Sequence, residues 1–185
     1  MRKLISSNIE ELTATLLEAA KKHLRVTHSK EDDLIKDKLA AAILQYETYT
    51  SISLTNSTYK MGLDNLPANG IIDILPAPLC QIIGVSYYDK DNNRIELDET
   101  EYTIDDFSTP ARLQLPIVET YKRLNAIQIE YSTGGKNINA NAKAAIMLLT
   151  GHYYVNREEV ITGLSVCKVP YAAENLMNLE RINNY

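Results

Sequence analysis

The sequence predicts an α+β fold: a small helical bundle built from the N- and C-terminal segments, with an inserted antiparallel β-meander of about six short strands. Three observations predict it. Apolar residues recur at helical spacing near both ends of the chain. Between about 51 and 133 the period changes to two, in runs rich in Ile, Thr, Ser and Tyr. Turn-forming groups, among them Asp91-Asn92-Asn93 and Gly134-Gly135, then separate the runs.

The elements follow in order. Residues 13–26, TATLLEAAKKHLRV, carry Leu16, Leu17, Ala20 and Leu24 as one stripe. Ser29 and Asp32 have the spacing of a capping box that opens a second helix over about 30–48. That helix places Leu34, Ile35, Leu39, Ala42, Ile43 and Tyr46 on one face, with Asp32 and Asp33 in the first turn, where the dipole favours negative charge. TSISLTNSTYKMGL reads as one strand or two. Pro76 and Pro78 stand between two β-branched runs, so a strand edge or a crossing loop belongs there. VSYYDKDNNRIEL reads as a hairpin, with a turn that tolerates positive φ. EYTID, ARLQL and AIQIEYS supply three more short strands. Asn139 or Asn141 can cap a helix over about 141–157, whose AAIMLLTG is apolar nearly all round and belongs at the centre of the bundle. Pro170 suits the first turn of a last helix. One domain, 1–185, then comprises a helical segment (1–50), an inserted β region (51–135) and a second helical segment (136–185).

Composition narrows the function. With 185 residues, 45% hydrophobic and 23% charged, the chain can bury a sizeable core without staples. Trp is absent and Phe occurs once, but there are 12 Tyr, whose apolar ring and polar tip suit interfaces as well as cores. Cys80 and Cys167 form no metal-ligand pattern and read as small buried hydrophobes in a reducing compartment. Glu10, Glu11 and Glu18 break up the first twenty residues, so no signal peptide is expected, and no apolar run approaches the ~18 residues of a membrane span. The net charge is -5. Residues 1–29 hold five basic side chains against three acidic ones, whereas 89–106 hold eight carboxylates against Lys90 and Arg94. The basic stripe that non-specific nucleic-acid binding needs is missing.

Candidate sites carry little chemistry. Asp89, Asp91 and Asn93 have the spacing that begins a calcium loop. Arg94 stands where that loop needs Gly, and Thr100 where it needs a bidentate Glu, so a solvated hairpin tip is the better reading. The three His form no HExxH and no cluster with Cys, and neither a phosphate loop nor GxSxG occurs; no catalytic residue, cofactor or metal is assigned. LLTGHYYVNREEVITG, 148–163, gathers a His, an Arg and two Glu, but no nucleophile at a useful spacing. Gly151 inside a helix costs roughly 1 kcal/mol against Ala, which suggests close approach of another backbone. Of Tyr153 and Tyr154, one is expected in the core and the other facing a neighbour or solvent. A subunit contact and a plain helix end are the two readings of this stretch.

The order of these pieces resembles the head–tail connector (adaptor, or head-completion) proteins of tailed bacteriophages, prophages and gene transfer agents. Three stretches carry the resemblance. HLRVTHSKEDD resembles the family's helix-turn-helix opening, PLCQIIGVSYYD its strand pair, and LLTGHYYVNRE its helix with Tyr153 where Trp often stands. Together with ARLQLP and AIQIEYSTGG, they span nearly the whole chain in the family's order.

The resemblance implies a structural virion protein at the head–tail junction, made in a bacterial host cytoplasm. It implies a ring, commonly of twelve copies, under the portal; the ring extends the DNA channel and meets a tail or stopper protein. DNA passes through it without specific binding, and no chemistry is done. It favours a subunit or portal contact at Tyr153, Tyr154, Arg157 and Glu158. It places portal contacts in the C-terminal segment 169–185, at Tyr171 and at Leu176, Leu179 and Ile182, the last three read as one stripe; a chain cut at 168 is expected to fold. From the residues themselves, the acidic hairpin, with Asp91, Glu96, Asp98 and Glu99, is expected to be solvated because its carboxylates repel one another; it is either a solubilising loop with no partner or part of the ring's surface, at the outer rim, where an inserted sheet is more easily placed, or in the lumen. Two rival readings are a DNA-binding packaging factor of the small-terminase type, which needs a basic helix-turn-helix, and an unrelated soluble α+β interaction domain.

Overall fold

The computed structural model describes residues 1–135, 138–156 and 171–182. Two compact units emerge: Met1–Ser7 with Thr55–Lys136, and Asn8–Leu54 with Asn137–Tyr185.

The first unit holds eight strands: β1 (Arg2–Ser7), β2 (Ser57–Leu63), β3 (Ile71–Ile74), β4 (Leu79–Tyr88), β5 (Arg94–Leu97), β6 (Thr103–Asp105), β7 (Ala111–Gln114) and β8 (Ile127–Thr133). A five-stranded sheet has the order β1-β2-β8-β4-β5, and a three-stranded sheet has β3-β7-β6. Every named pairing is antiparallel. β8 sits mid-sheet and alternates strictly. Ile127, Ile129, Tyr131 and Thr133 point inward, and Gln128, Glu130 and Ser132 outward. Ile72, Ile74, Ile82, Val85, Leu113 and Leu115 complete the core from the neighbouring strands. Each such buried side chain contributes roughly 1.5–3 kcal/mol by leaving water. Tyr131 is fully buried, and its hydroxyl donates to the Leu75 carbonyl at 2.5 Å. Burial pushes that phenol up to about 12.

Several expectations hold here. The chain crosses from one sheet to the other between Ile74 and Leu79, across Pro76 and Pro78. Asn92 takes φ +63° in the β4–β5 turn. Gly134 and Gly135 take φ +107° and +70° after β8. β1 was not foreseen. Its RKLISS shows no alternation and is almost wholly exposed, so only pairing with β2 makes it a strand. The acidic segment is also not one hairpin. β5 ends at Leu97, a 3-10 turn follows over Glu99–Glu101, and β6 belongs to the other sheet. Asp98 turns the chain there: its carboxylate accepts from Thr100 N–H, and Glu101 reaches back to Asp98 N–H at 2.7 Å.

The second unit holds four helices among the described residues: α1 (Ile9–Leu24), α2 (Asp32–Thr50), α3 (Ala140–Val155) and α4 (Tyr171–Asn178). α3 is central, as its apolar circumference predicts, with Ala145, Ile146 and Leu149 fully buried. Ile35, Leu39, Ala42, Ile43 and Tyr46 of α2, and Leu16 and Ala20 of α1, pack in the same cluster. Asn139 caps α3, accepting from Ala142 N–H at 2.8 Å.

The capping box at Ser29 does not form. Glu31 is the N-cap of α2 and makes no side-chain cap bond, while Asp32 pairs with Lys21 of α1 at 2.8 Å. A partly buried ion pair thus takes the carboxylate that the local motif needs. Pro170 lies outside the described residues. α4 buries Ala173 and Met177 in the helical core, so a chain cut at 168 would lose both side chains from it.

Candidate functional site

The last turn of α3 carries Gly151, His152, Tyr153 and Tyr154. Both tyrosines pack against the helical core, contrary to the expectation that only one would. The Tyr153 hydroxyl donates to Gln45 Oε1, and that of Tyr154 to Glu31 Oε2 at 2.6 Å. Adjacent residues sit about 100° apart on a helix, and each polar tip finds its own partner, one within α2 and one at its N-cap. Burial raises the Tyr153 pKa. His152 is engaged in ending the helix, with Nδ1 3.1 Å from Asn156 Nδ2 while its carbonyl accepts from Asn156 N–H at 2.9 Å. A Cβ on Gly151 would meet His23 Nε2 at 3.4 Å, a side chain rather than the backbone expected. Arg157 and Glu158 lie outside the described residues.

The predicted C-terminal stripe is divided. Helix α4 stops at Asn178, so Leu179 and Ile182 do not continue it. Leu176 and Ile182 pack against the core, while Tyr171 and Leu179 are 77% and 75% exposed. Two of the four residues therefore hold the segment down, and two face outward.

The acidic side chains Asp91, Glu96, Asp98 and Glu99 are all exposed, as their mutual repulsion requires. Asp89 organises the tip: its carboxylate accepts from Asp91 N–H at 3.0 Å and Asn93 N–H at 2.8 Å. Those bonds, led by the one from Asn93, hold its pKa below the usual carboxylate range. Arg123 braces the same tip, 3.7 Å above the Tyr88 ring and donating to Asn92 Oδ1 at 3.0 Å. Glu96 pairs with Arg94 at 3.1 Å.

Among the described residues no group of His, Cys, Asp and Glu could hold a metal ion. Cys80 is exposed, not buried as expected, because it sits on the outward side of β4 near its start, where its thiol donates to the Gly134 carbonyl at 3.1 Å. Cys167 lies outside the described residues. No described helix is long and apolar enough to cross a membrane.

Sequence reasoning missed Phe107. This only Phe of the chain is 99% exposed at the β6–β7 turn. Its signal was an aromatic residue inside the turn-forming string DDFSTP.

No curated protein matches the chain. Among solved structures, the fold is similar to a chain in the neck of an empty GTA particle computed with C6 symmetry, with TM-score 0.78, 18% identity, and 100% of this chain and 97% of that one covered. A chain in the neck of a native GTA particle computed with C12 symmetry gives TM-score 0.75 at 17% identity with the same coverage. A chain in the virion of a native gene transfer agent particle gives 0.76 at 17%, again with 100% and 97% covered. At such identities these likenesses speak for the fold. The model of the phage gp6-like head-tail connector proteins matches residues 14–116, more than half of the sequence, and the chain belongs to that family.

Proposed function

We propose that this protein is a structural head–tail connector that works as a ring at the neck of a phage-type particle, between portal and tail. The family match over 14–116 carries this reading. Likeness over the full chain to proteins of GTA necks, solved with C6 and C12 symmetry, supports a ring of repeated copies, and twelve is the number we adopt. The polar groups at the end of α3 serve helix ends and inter-helix bonds, in keeping with a protein that joins surfaces rather than one that turns over a substrate.

In this reading Tyr171 and Leu179 offer apolar surface to the portal, and Leu176 and Ile182 anchor the segment that bears them. Tyr153 and Tyr154 hold the end of α3 in place for a contact that Arg157 and Glu158 make with portal or neighbour. The exposed carboxylates around Asp91, Glu96, Asp98 and Glu99 fringe the outer rim, where they meet a basic tail or stopper protein. DNA passes through without a specific grip. Deleting the gene in the producing host should leave DNA-filled heads without tails, restored by the wild-type copy. Normal tail joining in the deletion strain would refute the connector role.

A further inference from the structure

The turn after β6 is built to display one side chain. Asp105 Oδ1 accepts from Phe107 N–H at 3.1 Å. Asp105 Oδ2 accepts from Ser108 Oγ at 2.8 Å and from Arg112 Nε and Nη2 at 2.9 and 2.6 Å. Four bonds to one carboxylate tie the Phe107 N–H, the Ser108 hydroxyl and the Arg112 guanidinium to Asp105, so the ring projects from an ordered turn. A large aromatic side chain fixed in water gains nothing for its own fold. Such preorganised rings are typical anchors of interfaces. Asp106, exposed beside it, makes the projection acidic.

A hollow of about 360 Å³ lies over the β1–β2 end of the five-stranded sheet, lined by Met1, Arg2, Lys3, Lys60, Met61 and Gly62 with Asn125 and Gln128. Its walls are mostly apolar. A dry cavity of about 150 Å³ already holds a benzene ring, so a phenyl group fits. Methionine sulfur suits an aromatic edge, and Arg2 and Lys3 can lie over a ring face or meet a carboxylate. The hollow belongs to the β1 edge of the sheet. The Phe107 turn joins β6 to β7 in the separate three-stranded sheet.

We propose that Phe107 of one copy seats in the Met1–Met61 hollow of the next, with Asp106 set against Arg2 and Lys3. Projection and hollow match in size and charge and belong to different sheets, so they are two different surfaces and the contact is heterologous, head to tail. Repeated, it closes a ring when the rotation fits. This rests on the ring reading above and names the surfaces that would make the ring.

The test uses the full chain, which has no Trp. Phe107→Trp installs a single indole reporter at a position where folding is not at stake. Its emission should shift to the blue as the protein is concentrated or added to connector-free heads. Phe107→Ser should weaken self-association at least about tenfold by sedimentation. Asp106→Lys should do likewise, and adding Lys3→Glu to it should restore some of the loss. Rings from Phe107→Ser at the wild-type concentration, or an indole that stays solvated in rings, would overturn the seat and leave the ring reading intact. Phe107→Ser rings that fail to join particles would reassign the side chain to a different partner, against the proposal. A wild-type chain that never self-associates, alone or on heads, would overturn both readings.

Discussion

The Tyr46 hydroxyl donates to Glu180 Oε2 at 2.8 Å, joining the buried face of α2 to the chain just past α4. Two more bonds run beside it: Tyr49 Oη to Asn178 Oδ1 at 2.7 Å, and Ile182 N–H to the Thr50 carbonyl at 2.9 Å. The C-terminal segment is thus fastened to α2 along its last turns. Tyr46→Phe keeps the ring and removes the donor, leaving a half-buried carboxylate short of a partner. The expected cost is about 1–3 kcal/mol in urea unfolding, with faster amide exchange over 171–182. An unchanged midpoint would mean that the bond contributes nothing net.

The same tyrosine sets an alkaline limit. Burial first, then the Glu180 bond, raises its pKa well above the ordinary value, and burial takes Tyr131 to about 12. A raised phenol favours the neutral form in the folded state. That stability is whole below the unfolded pKa of about 10 and is lost as pH climbs toward the folded values. Tyrosinate absorbance from these two residues should therefore appear only with unfolding. Ionisation of every Tyr near pH 10 in a protein with intact circular dichroism would contradict this.

At the acid end the sign reverses. The bond from Arg112 is the first cause, and that from Ser108 the second, of the lowered Asp105 pKa; backbone bonds lower Asp89 and Asp98. Depressed carboxylates stabilise above their unfolded pKa of about 4, and that contribution fades as pH falls through the folded values. Arg112→Gln should return the Asp105 titration, followed by NMR, toward the ordinary range. It should also loosen the Phe107 turn at neutral pH. An unmoved Asp105 titration would show that the ion pair is not what holds the turn.

The helices were legible because their burial follows the 3.6-residue period: Ile35, Leu39, Ala42, Ile43 and Tyr46 of the predicted face are buried, and Leu34, placed on the same face, is half-buried. The alternation of β8 was legible for the same reason. What escaped depends on partners distant in sequence. β1 exists only against β2, some fifty residues away. Asp32 leaves its local cap for Lys21. Tyr153 and Tyr154 find Gln45 and Glu31 across the bundle. The acidic run read as one hairpin because composition does not reveal that Asp98 turns the chain away to another sheet. In the candidate site, periodicity placed Leu176 on a stripe with Leu179, but the helix ends between them.

The acidic side chains divide into replaceable and structural ones. Asp91, Glu96 and Glu99 are exposed, whereas Asp98 caps the turn that leads to β6. Asp91→Asn, Glu96→Gln and Glu99→Gln together should leave thermal stability within about 0.5 kcal/mol per site. If the carboxylates meet a basic tail partner, tail joining should slow and lose its salt sensitivity. Unaltered joining at every salt concentration would leave the rim without a charge-reading role. Asp98→Ala, by contrast, should disorder 98–102, whereas Asp98→Asn should keep the cap.

Two glycines separate conformational need from mere convenience. Gly134 has φ +107°, and a Cβ there would stand 1.9 Å from the Thr55 carbonyl oxygen. Neither the backbone angle nor the carbonyl can yield cheaply, so Gly134→Ala should cost about 2–3 kcal/mol or more. Gly151 lies in the last turn of α3, and its added Cβ would meet His23 Nε2 at 3.4 Å and Leu24 Cδ2 at 3.9 Å. The His23 imidazole is exposed at the end of α1 and can turn aside. Removing the helix penalty of Gly is worth up to about 1 kcal/mol, reduced by fraying at the terminus. Gly151→Ala should therefore be neutral to stabilising in denaturant melts. A loss of more than about 1 kcal/mol would mean that His23 is held where it stands and that the small residue is needed for helix packing.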